Sequence, residues 1–348
     1  MKKKFFISLL LVFALCLSFV AGAAQPADAS AFADAKTYDA KIGHPMASTS
    51  FTQKVFTLFV ETIREASEGT INMTIYPADT LVSSADAYDA VLMGNVEFAQ
   101  FQVSYISGIM PEFIALEIPG LYVASEFKAF AEIAGPTLDA IFAKYGVKYL
   151  APFPYSMLVF VGEKVVTDPV EDLQRSRVRV SGAWGGRAVS GWGASPMSIG
   201  IGDVPTALER NTINQVLTSW IATQGFRLHE TAPHITLTQM QEILPGIIMN
   251  LDLWNEFTEA QQEAVYKGVD AFVNEGYELM KSEEAAFLDE CREMGVELYF
   301  TTPENDQFYY DEAWKLADEL IATTDIGELG LQLIEVLKDP RLAPGAGR

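Results

Sequence analysis

Hydrophobic and polar positions along the chain switch between a period of two and a period near 3.6, the marks of half-buried strands and amphipathic helices. Tyr38 to Gly43 alternates and is stopped by His44-Pro45. From Phe51 to Ala66, residues Val55, Phe56, Phe59, Val60 and Ile63 recur at helical spacing, and Gly69 closes the run. Ile71, Met73 and Ile75 share a face of a second strand ending before Pro77. Ser84 is a capping candidate for a helix over 84–93, and 96–101 reads as a third strand with Gln102 just past its carboxyl end. A stretch punctuated by Pro and Gly, MPEFIALEIPGLY, leads to a helix from Ser125 to about Tyr145, then strands at 147–151 and 157–165.

The second half continues the alternation. Asp168-Pro169 opens a single turn, and Arg177 to Ser181 is a strand with Val178 and Val180 on one face and Arg177, Arg179 and Ser181 on the other. A glycine-bearing turn and a helical stretch follow. Asp203 to Arg210 is a short helix, Ile213 to Leu217 a strand, Ser219 to Leu228 a helix, and 234–250 holds two strand-like runs. From Thr258 to Met294 there is no proline and the period stays helical, which predicts one helix of roughly 50 Å. That exceeds one small domain, so the helix should run along two as a spine; Gly268 and Gly276 could permit bends. A strand at 296–300 and helices near 306–322 and 326–337 complete the chain. Strands alternating with helices throughout predict α/β layers.

Residues 1–24 read as a cleavable signal peptide: Lys2, Lys3 and Lys4, an apolar run from Phe5 to Val20, and the small-residue site Ala21-Gly22-Ala23. The apolar run is short for a membrane span, so the expectation is an exported, periplasmic chain with no membrane insertion after cleavage. About 320 residues then remain, enough for two cores. The formal charge of −22, more negative once the leader lysines are gone, argues against nucleic acid and anionic lipid as partners. No arginine occurs between Arg64 and Arg175, so any anion site rests on few cations. Cys291 is the one cysteine outside the leader and reads as a buried, unreactive thiol.

Catalytic motifs fail in turn. Gly191 to Ser195 is not a nucleophile elbow, and Gly200-Ile201-Gly202 is not a phosphate loop. His44, His229 and His234 are too few and scattered for zinc, and no carboxylate pair stands out in an apolar setting. The expectation is no enzyme, no metal and no cofactor. What remains is an arginine at a strand end. In open α/β sheets ligands collect beyond the carboxyl ends of strands, and Arg179 lies nearer that end than Arg177. Its guanidinium could pair bidentately with a carboxylate or serve a structural ion pair, and the residues alone leave both open.

Several segments resemble one family in order and spacing over residues 38–338: TIYPADTL, AYDAVLMGNVEFAQFQ, LEIPGLY, DPVEDLQRSRVRVSG, GASPMSIGIGDVPTALERNTINQVLTSW and LWNEFTEAQQEAV. The chain resembles the DctP-type solute-binding proteins of tripartite ATP-independent periplasmic (TRAP) transporters. The resemblance implies a two-domain periplasmic-binding-protein fold with crossover strands, a long spine helix and a cleft that closes on organic acids. It implies domain I at 37–156 plus about 245–280 and domain II at 157–244 plus about 281–338. It assigns Arg179 to the ligand carboxylate and implies small and large TRAP membrane subunits as partners.

The departures shape the expected ligand. A second arginine found about twenty residues earlier in many sialic-acid-type and dicarboxylate-type members is absent, Met157-Leu158-Val159 standing there. Asn214-Gln215 replaces an Asp-Gly pair, while Asn211 and Asp79 replace turn glycines, changes expected to alter turns rather than chemistry. One guanidinium suits a monocarboxylate with an apolar or aromatic body. Ser181, Trp184, Thr218, Ser219 and Trp220 are candidates beside Arg179, with Gln102 and His44 from the facing domain. Trp192, Phe101, Phe153 and Tyr155 are further aromatics near strand ends, with core packing as their default. A dicarboxylate receptor, a sensory module with the same pocket, and a secreted enzyme are the alternatives.

Overall fold

The computed structural model describes residues 30–122, 127–154, 157–240 and 245–344, so the leader and Tyr155 lie outside the described residues. Residues 30–35 form a short turn, and the chain from Lys36 onward carries the sheets and helices. In chain order the strands are β1 (Tyr38–Gly43), β2 (Ile71–Tyr76), β3 (Phe98–Gln102), β4 (Val147–Pro152), β5 (Leu158–Gly162), β6 (Arg177–Val180), β7 (Ser195–Ser198), β8 (Gln215–Ser219), β9 (His234–Leu237), β10 (Pro245–Asn250) and β11 (Glu297–Phe300). They build two sheets, ordered β2-β1-β3-β10-β4 and β11-β9-β5-β8-β6-β7.

Strand direction locates the functional edge. β10 is antiparallel to β3 and β4, and β5 is antiparallel to β8 and β9, while the other pairings are parallel. These two are the strands entered directly after the chain leaves the other sheet, β4 to β5 and β9 to β10. A chain leaving one sheet at its carboxyl edge and entering the other at the same edge must run backwards there. Both sheets therefore turn their carboxyl edges toward one cleft, where ligands of open α/β sheets bind.

The long helix spans Glu259–Glu293, its 35 residues making about 52 Å. Thr258 and Gln261 close its start in a reciprocal capping box. Gly268 and Gly276 serve close approach to other side chains. A Cβ at Gly268 would overlap Ile63 of the helix Phe51–Ala66, and one at Gly276 would stand 3.0 Å from Val55 Cγ1. This helix pair anchors an apolar core that reaches both sheets, through Phe59, Phe98 and Phe272 and on to Val216, Ile235 and Phe287. Cys291 is buried in it, and burial pushes its thiol up to about 11. A second core covers the other face of the first sheet, and a third, around Phe160 and Trp192, that of the second.

Some predicted elements move. The helix expected from Ser84 spans Ala87–Leu92, because the Ser84 hydroxyl donates to Asp79 Oδ1 (3.0 Å) instead of capping. The helix expected over 219–228 is broken into Trp220–Gly225 and Leu228–Thr231 by Arg227, which is left-handed at φ +52°. Gln102 is the last residue of β3, paired with Pro245, rather than one past it. β7 was not foreseen: its SPMS lacks an apolar alternation, and its place comes from pairing with β6.

The turn that delivers the chain to β6 is fastened by Asp172. Its carboxylate accepts from Thr167 N (2.8 Å), Asp168 N (3.0 Å) and Lys164 Nζ (3.2 Å). Burial alone would raise its pKa, but the two backbone N–H donors, Lys164 and the Thr167 hydroxyl outweigh it and hold it at about 2. A depressed carboxylate stabilises the fold above the unfolded pKa of about 3.9 and loses that contribution as pH falls toward 2. Asp172→Asn should thus cost about 2 kcal/mol at pH 7, with the gap to the parent closing between about pH 5 and 2 in denaturant titrations. A gap independent of pH would assign the loss to packing instead.

Candidate functional site

The second sheet offers two arginines, and their surroundings separate them. Arg177, at the start of β6, donates from Nε to Thr212 O (2.9 Å) and from Nη2 to Asn211 O and Oδ1 (both 2.9 Å). It is occupied in fastening the turn before β8, where Asn211 is left-handed at φ +51°. Asn214 adds to that fastening, accepting from Arg177 N (2.8 Å) and donating to Glu163 Oε1 (2.8 Å). Arg179 stands two residues further, on the same face and nearer the cleft. It is 5 % exposed, and its Nε donates to Ile199 O at 2.8 Å just beyond β7, which fixes the plane of the guanidinium.

Arg179 lines a cavity of about 440 Å³, within the range of small-molecule pockets. The second sheet contributes Arg179 and Ser181 at the end of β6, Ser198 and Ile199 at the end of β7, Thr218 on β8, and Ala222 and Phe226 beyond it. The first sheet contributes Pro45 and Met46 after β1, Asp79 and Ser84 after β2, and Gln102, Ser104 and Tyr105 at and after β3. The lining thus combines hydroxyls and one amide with apolar side chains. Behind β6, Glu117 from the LEIPGLY segment lies against Gly182, whose Cβ position is 3.0 Å from Glu117 Oε2. Burial raises the pKa of this carboxyl despite the hydrogen bond from the Ser107 hydroxyl.

The structure brings four of the eight expected residues together on the cavity: Arg179, Ser181, Thr218 and Gln102. The other four do not line it, each for a physical reason. Ser219 is 1 % exposed and its Oγ accepts from Ala222 N (3.1 Å), capping the helix Trp220–Gly225. Trp220 is stacked on Phe287 at 5.8 Å, inside the core of the spine helix. Trp184 is packed in the first-sheet core, with the Arg187 guanidinium 4.6 Å from its ring. His44 turns inward, bonded to Gln53 Oε1 (3.0 Å) and packed on Phe56, and burial lowers its pKa against the opposing Gln53 bond and Asp79 charge. His44 reaches the site through its backbone, since its carbonyl accepts from Asp79 N (3.1 Å). Phe101, Phe153 and Trp192 are buried core residues.

Asp79, Ser84, Ser104, Tyr105, Ser198, Ile199 and Phe226 were not anticipated. Only Asp79 left a signal, as an acidic residue in a turn that favours glycine. Ala78 and Asp79 are both left-handed, φ +54° and +55°, so the altered turn is real, and it also carries a carboxylate to the cavity. Among the described residues, no cluster of His, Cys, Asp and Glu is placed to hold a metal ion, and no helix is long and apolar enough to cross a membrane.

Two α/β sheets facing each other across a cleft at their carboxyl edges, with a helix spanning both, form an architecture suited to holding a small solute. Residues 42–323 match the family described as bacterial extracellular solute-binding protein, family 7 (DctP), and the chain belongs to it. The ectoine-binding periplasmic protein TeaA of Halomonas elongata is 22 % identical over 288 residues, covering 79 % of this chain and 82 % of that protein. The fold is shared with a TRAP periplasmic solute-binding protein of Ochrobactrum anthropi, solved with a C-terminus bound in its ligand pocket. The TM-score is 0.79 at 19 % identity, covering 88 % of this chain and 96 % of that one. A TRAP periplasmic solute-binding protein of Sulfitobacter sp. NAS-14.1 with bound β-D-galacturonate superposes with a TM-score of 0.74 at 18 % identity, covering 86 % and 99 %. The family is one of receptors that bind solutes for transport, not of enzymes.

Proposed function

We propose that the chain is an extracytoplasmic receptor that captures a small monocarboxylate with an apolar body and delivers it to the small and large membrane subunits of a TRAP transporter. The observation that carries this reading is Arg179, nearly buried, its plane fixed by Ile199 O, on the wall of a 440 Å³ cavity between the two sheets. Its fork suits a carboxylate, while Ser181, Thr218 and Gln102 offer hydrogen bonds to it or to a neighbouring oxygen. Met46, Ile199, Ile201, Tyr105 and Phe226 suit the apolar body. The relatives' named ligands, β-D-galacturonate among them, support the organic-acid class.

The lobes in this reading are residues 37–156 with about 245–280, and 157–244 with about 281–338. Closure of the lobes expels water and strengthens the ion pair by lowering the local dielectric. No covalent step is involved. A thermal-shift screen of the leaderless protein against organic acids tests the reading. An acid at about 100 times its Kd adds about 2.7 kcal/mol, a melting rise of a few degrees for a chain of this size. No rise with any mono- or dicarboxylate would remove the organic-acid reading, and rises confined to dicarboxylates would remove the monocarboxylate one.

A further inference from the structure

The cavity carries one anion as well as one cation. Among the described residues that line it, Arg179 and Asp79 are the charged side chains, and they enter from opposite sheets, Arg179 on β6 and Asp79 in the turn after β2. A ligand bearing a carboxylate alone would pair with Arg179 and, once closure covers Asp79, which is exposed in this structure, would meet its negative charge out of water. Like charges brought together in such a setting repel strongly. We propose that the solute is a zwitterion of the amino-acid or imino-acid type, its carboxylate on Arg179 and its cationic nitrogen on Asp79. The proposal rests on the organic-acid reading above and narrows it.

Asp79 is held in place for this role. It and Ala78 are two successive non-glycine residues in the left-handed region, a conformation that persists only where surrounding contacts enforce it. Those contacts are present. Ala78 N donates to Met46 O (2.8 Å) and Asp79 N to His44 O (3.1 Å), which ties the turn after β2 to the loop after β1. The side chain is oriented by the Ser84 hydroxyl on Oδ1 (3.0 Å), and Ser84 itself lines the cavity. Among the described residues Asp79 forms no salt bridge with a lysine or arginine; its carboxylate accepts from the Ser84 hydroxyl and its charge acts on the buried His44. Glycine would adopt this turn without strain but would bring no carboxylate.

The test is calorimetric titration of the receptor with shape-matched pairs: L-proline against cyclopentanecarboxylate, L-pipecolate against cyclohexanecarboxylate, and L-phenylalanine against 3-phenylpropionate. In at least one pair the zwitterion should bind tenfold or more tightly than its partner. Asp79→Asn should bring that ratio to near one, chiefly by weakening the zwitterion. Asparagine tolerates the left-handed conformation and still accepts from Ser84, so the variant removes charge and leaves the turn. Ligand-free melting checks that it does. Carboxylates binding as tightly as zwitterions, or a preference unchanged in Asp79→Asn, would overturn the proposal and leave the organic-acid reading standing. Binding by neither series would count against both.

Discussion

Arg179→Ala should lose about thirtyfold or more in affinity for any acid the parent binds, together with the melting rise that acid produces. The residue is 5 % exposed, so a ligand carboxylate bound to it as proposed would be drawn out of water on closure. Removing one partner from such a pair leaves the other charge buried without compensation, which costs about 2–5 kcal/mol, or roughly thirtyfold to several thousandfold. Alanine also deletes the bond from Nε to Ile199 O, so ligand-free stability should fall by about 1 kcal/mol. Arg179→Lys separates the two roles. It keeps a positive charge but neither the planar fork nor the tether to Ile199, so affinity should be intermediate. Calorimetry on the three proteins decides: an alanine variant within threefold of the parent would make Arg179 a structural residue and move the acid site elsewhere.

Gly268→Leu should be the most damaging change in the scaffold. A Cβ at this position already overlaps Ile63 and lies 3.1 Å from the Phe59 carbonyl, and backbone cannot step aside as a side-chain tip can. The helices Phe51–Ala66 and Glu259–Glu293 would separate where Phe56, Phe59 and Phe272 pack with ring centroids 5.6–5.8 Å apart. Overpacking of this kind costs about 3 kcal/mol, on the order of 5 °C in melting temperature for a chain of this length. Gly191→Leu is the control, since nothing lies within 4 Å of its Cβ position at the exposed end of the helix Ala183–Gly191. A melting point for Gly268→Leu equal to that of the Gly191 variant would show that the two helices adjust freely.

Elements with strong periodicity were legible from the chain alone. The helix Phe51–Ala66, the strands Tyr38–Gly43 and Ile71–Tyr76, and the long helix lie within a residue of where apolar spacing and caps put them. Arg179 was legible because alternation fixes which side of β6 it occupies and order along the strand fixes which end. The candidate site was legible only in part. Trp184 and Trp220 follow strand ends just as cleft residues do, and nothing in their spacing reveals that each turns into a core. Ser219 is a cap and a polar residue at a strand end at once, and the cap prevails because the backbone N–H of Ala222 needs an acceptor. Ile199 and Ser198 depend on β7, whose pairing with β6 is a tertiary fact with no local pattern. Asp79 shows the limit most plainly: the turn was visible, but the cavity it faces is closed by residues more than a hundred positions away.

The placement of β10 has a consequence for how the molecule comes into being. β3 and β4 do not touch as neighbours; β10 lies between them and joins them. Any N-terminal fragment that stops before residue 245 therefore lacks the middle of its own first sheet and exposes two open strand edges in its place. The early half of the chain cannot complete its first sheet while the late half is still being made. Order arrives late and in both halves together, through contacts distant in sequence, which makes folding slow and leaves the waiting chain dependent on protection from aggregation.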